Sequence, residues 1–123
     1  MKYLGLAYFT PEKFAAMAPD DVKALVSQCP ALDEKMRATG KVLVSASLGD
    51  LDRWRTLRTR GGKAQVSDGP YTESKEVVGG LFIIEADSQD EALRIASMHP
   101  AAMLGEQGDW VVELIPLDFY LAG

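Results

Sequence analysis

Cysteine and histidine are almost absent from this sequence. Its 123 residues include one of each, Cys29 and His99. A single cysteine excludes an intrachain disulfide and is typical of proteins from a reducing compartment. One histidine and one cysteine are too few for a conventional zinc site. We therefore expect no metal ion and no other cofactor.

Long apolar runs and an excess of basic charge are also missing. No stretch approaches the roughly 18–20 apolar residues that cross a bilayer, and the apolar N-terminal stretch lacks the cleavage pattern of a signal peptide. Thirteen Lys and Arg residues against 18 Asp and Glu residues give a net charge of −5. Because an acidic surface repels phosphate backbones, we expect no direct binding of nucleic acid. Without a membrane-spanning run or a signal-peptide pattern, we expect a cytoplasmic protein that does not bind membranes.

The residues that are present are those of a folded domain. Hydrophobic residues make up 47% of the chain and charged residues 25%, which is an ordinary globular balance. A chain of this length forms one domain and buries enough surface to fold without a disulfide or a metal. We therefore expect a single domain over residues 1–123.

Apolar periodicity predicts an alternation of strands and helices. Period-2 patterns predict strands over 2–9, 41–48, 53–59, 63–66, 81–86 and 110–117, with a tight hairpin at Gly61-Gly62. Two or three short helices, broken by Pro19 and Pro30, are expected between 11 and 40. A second helical region begins at Ser88, which has capping-box spacing to Glu91, and ends at His99-Pro100. Residues 67–80 are predicted to form a loop.

This order of elements corresponds to two βαβ-like halves with an extra hairpin between them. The simplest compact arrangement is an α+β fold of the ferredoxin-like type, in which helices pack on one face of an antiparallel sheet.

Residues 68–80, with the sequence DGPYTESKEVVGG, form the most distinctive segment. It resembles the signature of the DGPF family within the YCII-related superfamily, where Asp-Gly-Pro-Phe, Glu, Lys-Glu and Gly-Gly recur in this order. Tyr71 stands where that family usually has Phe. The following strand and helix and the closing strand over 111–117 are also similar, so the resemblance spans about residues 3–117.

The resemblance implies a dimeric α/β-barrel type of ferredoxin-like fold with a cleft near the dimer interface. Some members of the family are linked to extracytoplasmic-function sigma factors, which implies a regulatory role. A more distant branch contains a lyase-type enzyme that eliminates halide with a His and an Asp. Here Cys29 lies near the place of that His, and His99 before Pro100 holds the place of that Asp, so the dyad does not carry over.

His99 is the candidate catalytic residue, because histidine alone titrates near neutral pH without perturbation. Asp68 is its candidate partner, which would orient it or stabilise charge. The structural alternative for His99 is a helix C-terminal residue that bonds the last carbonyls. The structural alternative for Asp68 is a turn residue whose side chain bonds the backbone that follows it.

Tyr71, Glu73 and Lys75, together with Tyr8, are the candidate ligand-binding residues. They offer an aromatic wall, an acceptor and a donor, although a solvated turn with local ion pairs explains the charges equally well. Gly79-Gly80 lacks the spacing of a phosphate loop, so we expect a tight turn or a close backbone approach there.

The predicted hairpin is rich in arginine, with Arg53, Arg55, Arg58 and Arg60. Such charges protect an edge strand from aggregation, and they also suit a protein-partner surface.

Besides a dimer with a stability-only role, two functions remain open at this point. The first is a homodimeric module that binds a small ligand or regulates a partner, with a possible sigma-factor link. The alternative is an enzyme that acts on a small organic molecule by proton transfer or elimination, which requires His99 and a carboxylate in one cavity.

Overall fold

The computed structural model describes all residues, 1–123. It contains six strands and six short helices. The strands are β1 (Lys2–Phe9), β2 (Val42–Ser47), β3 (Arg55–Arg60), β4 (Lys63–Asp68), β5 (Val77–Glu85) and β6 (Val111–Pro116). The helices are α1 (Pro11–Ala16), α2 (Pro19–Val26), α3 (Cys29–Arg37), α4 (Gln89–Ala96), α5 (Pro100–Met103) and α6 (Gly105–Gly108).

Four of the strands form one antiparallel sheet in the order β2-β5-β1-β6. Helices connect β1 to β2 and β5 to β6, so the chain follows the βαββαβ path of the ferredoxin-like fold. The predicted α+β fold class is therefore confirmed. Strands β3 and β4 form a separate two-stranded hairpin between the two halves.

The two faces of the sheet differ in burial. In β1, Tyr3, Gly5 and Ala7 are buried, while the side chains that alternate with them are half-buried. In β5, Phe82 and Ile84 are completely buried on the same side. Met36 of α3 and several residues of α4 complete this core, namely Ala92, Ile95 and Ala96. The helices thus pack on one face, as the apolar pattern predicts.

The N-terminus of α4 shows the predicted capping box. The Ser88 Oγ accepts a hydrogen bond from the Glu91 N–H at 3.1 Å. The Glu91 carboxylate accepts one from the backbone N–H of Asp87, the residue before the cap, also at 3.1 Å. These bonds satisfy backbone donors that the helix itself leaves without partners.

Three strand boundaries differ from the prediction by two residues or more. Strand β4 continues to Asp68, whereas its predicted end is residue 66. The third strand begins at Arg55 rather than at residue 53, because Leu51–Arg53 forms a single 3₁₀ turn. Strand β5 begins at Val77, so that Gly79 and Gly80 lie in the strand and not in a turn. A Cβ at Gly80 would lie 3.1 Å from the Ala46 carbonyl oxygen on β2, so close backbone approach explains this glycine.

Sequence periodicity missed α5 and α6. The predicted helix does end before His99, but the chain then begins a new helix with Pro100 at its first position. None of the helices is long and apolar enough to cross a membrane.

Candidate functional site

A large cavity lies where the sheet meets α3 and α5, and we call it the main cavity. Its volume is about 610 Å³. The end of β1, the end of β2 and the start of β5 form the sheet side, and α3 and the start of α5 form the helical side. The cavity is open to solvent and has mixed apolar and polar walls, as small-molecule sites usually do.

Three aromatic rings form one wall of the main cavity. Phe9 and Phe14 meet edge to face with centroids 6.2 Å apart, and Trp110 lies 6.3 Å from Phe14. Two glycines leave room for these rings. A Cβ at Gly79 would lie 2.9 Å from the Phe9 ring, and one at Gly108 would lie 2.7 Å from Trp110. The wall therefore depends on Gly79 in β5 and on Gly108 at the end of α6.

His99 lines this cavity and is held by two contacts. Its Nδ1 accepts a hydrogen bond from the backbone N–H of Ala101 at 3.0 Å, so the side chain caps the N-terminus of α5. Its ring stacks on Phe82, with centroids 4.9 Å apart and an angle of 24° between the planes. The structural alternative, in which His99 bonds the last carbonyls of the preceding helix, does not hold for the side chain, which caps the following helix instead.

These surroundings determine the protonation state of His99. Burial lowers the pKa of the imidazole, and the opposing effect of the Asp33 carboxylate, which raises the pKa, is smaller. The ring is therefore neutral near pH 7. Because Nδ1 accepts a hydrogen bond, we assign the proton of the neutral ring to Nε2. Nε2–H is then the one hydrogen-bonding group of the ring that remains for a ligand.

Cys29 and Asp33 lie one turn apart on α3, and both line the main cavity. Burial, reinforced by the negative charge of Asp33, raises the pKa of the Cys29 thiol. The sulfur lies 3.9 Å from the Leu25 carbonyl oxygen. Sequence reasoning did not place Asp33 in a site. The i, i+4 spacing from Cys29 is the only signal that could have indicated it.

The structure does not bring Asp68 together with His99. Asp68 is the last residue of β4, its side chain is 91% exposed, and its carboxylate lies 3.2 Å from Arg55 Nε. It does not line the main cavity, where the carboxylates are those of Asp33 and Asp50. The reason is topological, because Asp68 lies in the two-stranded hairpin, which forms a sheet separate from the four strands of the main sheet.

A second cavity of about 560 Å³ adjoins the main one, and we call it the side cavity. Tyr8, Tyr71 and Glu73, three of the four predicted ligand-binding residues, line it together, whereas Lys75 does not. The two cavities have five lining residues in common: Tyr8, Leu51, Trp54, Val77 and Val78.

None of the four arginines of the predicted partner surface lines either cavity. Arg55, Arg58 and Arg60 are exposed on β3, and Arg53 is exposed in the 3₁₀ turn. The Arg58 guanidinium lies 5.2 Å from the centre of the Tyr71 ring.

No group of three or more His, Cys, Asp or Glu side chains is placed to hold a metal ion.

Comparison with known proteins places the chain among relatives. The profile of a family described as "YCII-related domain" matches residues 1–113. An uncharacterised protein, R00369 of Rhizobium meliloti (strain 1021), is 31% identical over 96 residues, which cover 78% of this chain and 77% of that protein. A solved structure of 5-chloro-2-hydroxyhydroquinone dehydrochlorinase from Burkholderia phenoliruptrix AC1100, in complex with 2,5-dihydroxybenzoquinone, is 20% identical. It has a TM-score of 0.37 and covers 92% of this chain and 91% of its own.

Proposed function

Since this chain belongs to the YCII-related family, we propose that it is a small-molecule-binding module whose ligand occupies the main cavity. The observation that carries this proposal is the hydrogen bond from Ala101 N–H to His99 Nδ1. With Nδ1 engaged in this bond, the neutral ring offers Nε2–H as a donor in the cavity whose wall is formed by Phe9, Phe14 and Trp110. A partly apolar molecule with a hydrogen-bond acceptor fits these groups.

The same bond favours binding over proton transfer at His99. A neutral imidazole accepts a proton at its unprotonated nitrogen, which here is Nδ1. That lone pair already accepts from Ala101, and protonation would remove the cap of α5 and charge a half-buried ring. The ring is thus suited to orient a ligand rather than to move its protons.

One observation favours the second candidate, an enzyme that acts by proton transfer or elimination. Asp33 shares the main cavity with His99, which meets the geometric requirement for a His and carboxylate pair. In this candidate function Asp33, and not the predicted Asp68, would orient His99 or stabilise charge. The proton of the substrate would have to be taken up by the Asp33 carboxylate, or by a His99 ring that no longer accepts the hydrogen bond from Ala101 N–H.

We also propose that the module works as a homodimer. The sheet face opposite the helices carries half-buried apolar side chains that no helix of the same chain covers: Leu4, Leu6, Leu81, Ile83 and Ile115. A second copy placed on this face would remove them from water.

A regulatory link to a sigma factor belongs to the same proposal, with the arginine hairpin as the contact surface. Residues 51–68 contain five Lys and Arg residues and two Asp residues, in a chain whose net charge is −5. Such a local excess of positive charge suits an acidic protein partner. Loss of binding to a purified sigma factor on replacing Arg58 and Arg60 with Glu, but not on replacing His99, would support it.

The proposal that the main cavity binds a ligand is tested by a thermal-shift screen of a small-metabolite library against the wild type and His99→Asn. Asparagine is a good N-cap residue, so this variant keeps an acceptor for the Ala101 N–H while it removes Nε2–H. A ligand that binds only the folded state raises the melting temperature. We expect at least one compound to stabilise the wild type and to lose most of that effect in His99→Asn.

A matched control replaces Asp68, which lies outside the cavity, with Asn. This variant should respond to the compound as the wild type does. Compounds that stabilise wild type and His99→Asn equally would contradict the role of His99. If the wild type converts a bound compound and Asp33→Asn does not, the protein is the enzyme of the second candidate function and not a binding module.

A further inference from the structure

The side cavity has negative charge and no positive charge in its walls. Its charged lining residues are Glu73 and Glu76, and no Lys or Arg lines it. Neither carboxylate has a basic group within 4.0 Å. Lys13, whose pKa the Glu76 charge helps to raise, is held by Asp109 at 2.8 Å. Both carboxylates are therefore free to attract a cation that enters from solvent.

Aromatic rings form much of the rest of this cavity. Tyr8, Trp54 and Tyr71 all line it. Two of them are fixed by hydrogen bonds, since Trp54 Nε1 donates to the Gly49 carbonyl at 2.9 Å and the Tyr8 hydroxyl donates to Glu113 at 3.1 Å. The faces of such rings attract cations.

Tyr71 already contacts a cation of the same chain. The Arg58 guanidinium lies 5.2 Å from the centre of its ring, although Arg58 itself does not line the cavity. This contact shows that a positively charged group can lie against the face of the Tyr71 ring.

From this combination we propose that the side cavity binds an organic ammonium cation, with Glu73 and Glu76 supplying the charge and Tyr8, Trp54 and Tyr71 the aromatic contacts. Anionic ligands are disfavoured there because they would face two carboxylates. This site goes beyond the proposed function, since it uses neither His99 nor Asp33. The shared residues Tyr8 and Trp54 place it next to the main cavity.

The test uses choline as the cation and 3,3-dimethylbutan-1-ol as its neutral isostere. Binding of each is followed by NMR through the indole N–H signal of Trp54, which is assigned with Trp110→Phe. We expect choline to bind about tenfold more tightly than the alcohol. In Glu73→Gln/Glu76→Gln, we expect choline to bind no better than the alcohol.

A matched control replaces two exposed acids outside both cavities, Glu12 and Glu106, with Gln. It changes the net charge equally and should keep the preference for choline. His99→Asn should also keep it, which separates this site from the main cavity. Equal binding of choline and the alcohol to the wild type would overturn the proposal. So would an equal loss of choline binding in the control and in the Glu73/Glu76 variant.

Discussion

The ring of Phe82 occupies the space that a side chain at Gly5 would need. The two residues are register partners on β5 and β1, and a Cβ at Gly5 would lie 2.0 Å from Phe82 Cζ. Phe82 in turn stacks on His99 at 4.9 Å. A glycine in the first strand therefore positions, through one aromatic ring, the histidine of the main cavity.

The first prediction concerns this contact. Gly5→Ala should lower the free energy of unfolding by about 1–3 kcal/mol, because Phe82 must leave its place in a closely packed core. Urea unfolding measures the change. In the double variant Gly5→Ala/Phe82→Leu the cost should be less than the sum of the two single costs, since the smaller side chain relieves the clash. Strict additivity would show that the two residues do not compete for space.

The second prediction follows from the lowered pKa of His99. Its folded pKa lies below the ordinary value of 6.5, so the unfolded chain binds a proton more readily than the folded one. The stabilisation that the neutral His99 ring gives to the folded state is complete above pH 6.5. It is lost as the pH falls from 6.5 toward the lower pKa of the folded state. We expect the free energy of unfolding to decrease between about pH 7.5 and pH 5, and to decrease less in His99→Asn. Identical slopes for the two proteins would contradict the proposed environment.

The third prediction concerns the thiol of Cys29, whose pKa is raised by burial and by the charge of Asp33. Because the thiolate is the reactive form, alkylation by iodoacetamide at neutral pH should be slower than that of a free cysteine. Asp33→Asn removes one cause of the raised pKa, so the rate should increase. Glu34→Gln, a neighbouring exposed acid outside the cavity, serves as the control and should leave the rate unchanged. A faster reaction in the control alone would rule out the assigned pair.

The fourth prediction concerns the capping box of α4. Ser88→Ala should lower the free energy of unfolding by about 1 kcal/mol, because the Glu91 N–H loses its acceptor. Ser97→Ala at the other end of the helix should cost less. There the hydroxyl donates to the Arg94 carbonyl on an exposed surface, where water can replace it. Chemical denaturation of both variants provides the comparison, and an equal cost would refute the special role of Ser88.

The fifth prediction concerns the sheet face that we propose as the dimer interface. Leu6→Asp should shift the protein to a monomer in analytical ultracentrifugation, because an unpaired carboxylate would be buried between the two copies. Leu57→Asp is the matched control, since Leu57 is 68% exposed on the hairpin, away from the sheet. Circular dichroism checks that both variants remain folded. A wild type that sediments as a monomer would remove the basis of this proposal.

Much of the fold was predictable because it depends on local patterns. Period-2 alternation identified β1 and β6, and the spacing of Ser88 and Glu91 identified the start of α4. Both signals come from neighbouring residues, and the tertiary structure did not override them. The order of these elements was sufficient to predict a ferredoxin-like sheet.

The boundaries around glycine and proline were predicted less well. Gly79 and Gly80 indicate a turn when read locally, yet they lie in β5. There a Cβ at Gly79 would meet the Phe9 ring, and one at Gly80 would meet the Ala46 carbonyl oxygen. Pro100 indicates the end of a helix, and here it also begins one. In both cases the same residue suits two local structures, and packing decides between them.

The sequence alone determined the fold class, the capped helix and the shortage of metal ligands. Only the tertiary structure decided which of the candidate site residues lie together. It separated Asp68 from His99 by placing Asp68 in a hairpin separate from the main sheet, and it brought Cys29 and Asp33 to His99 across about 70 residues of chain. Secondary structure depends on the spacing of residue types over a few positions. A cavity is formed by distant segments that meet only when the sheet and its helices pack.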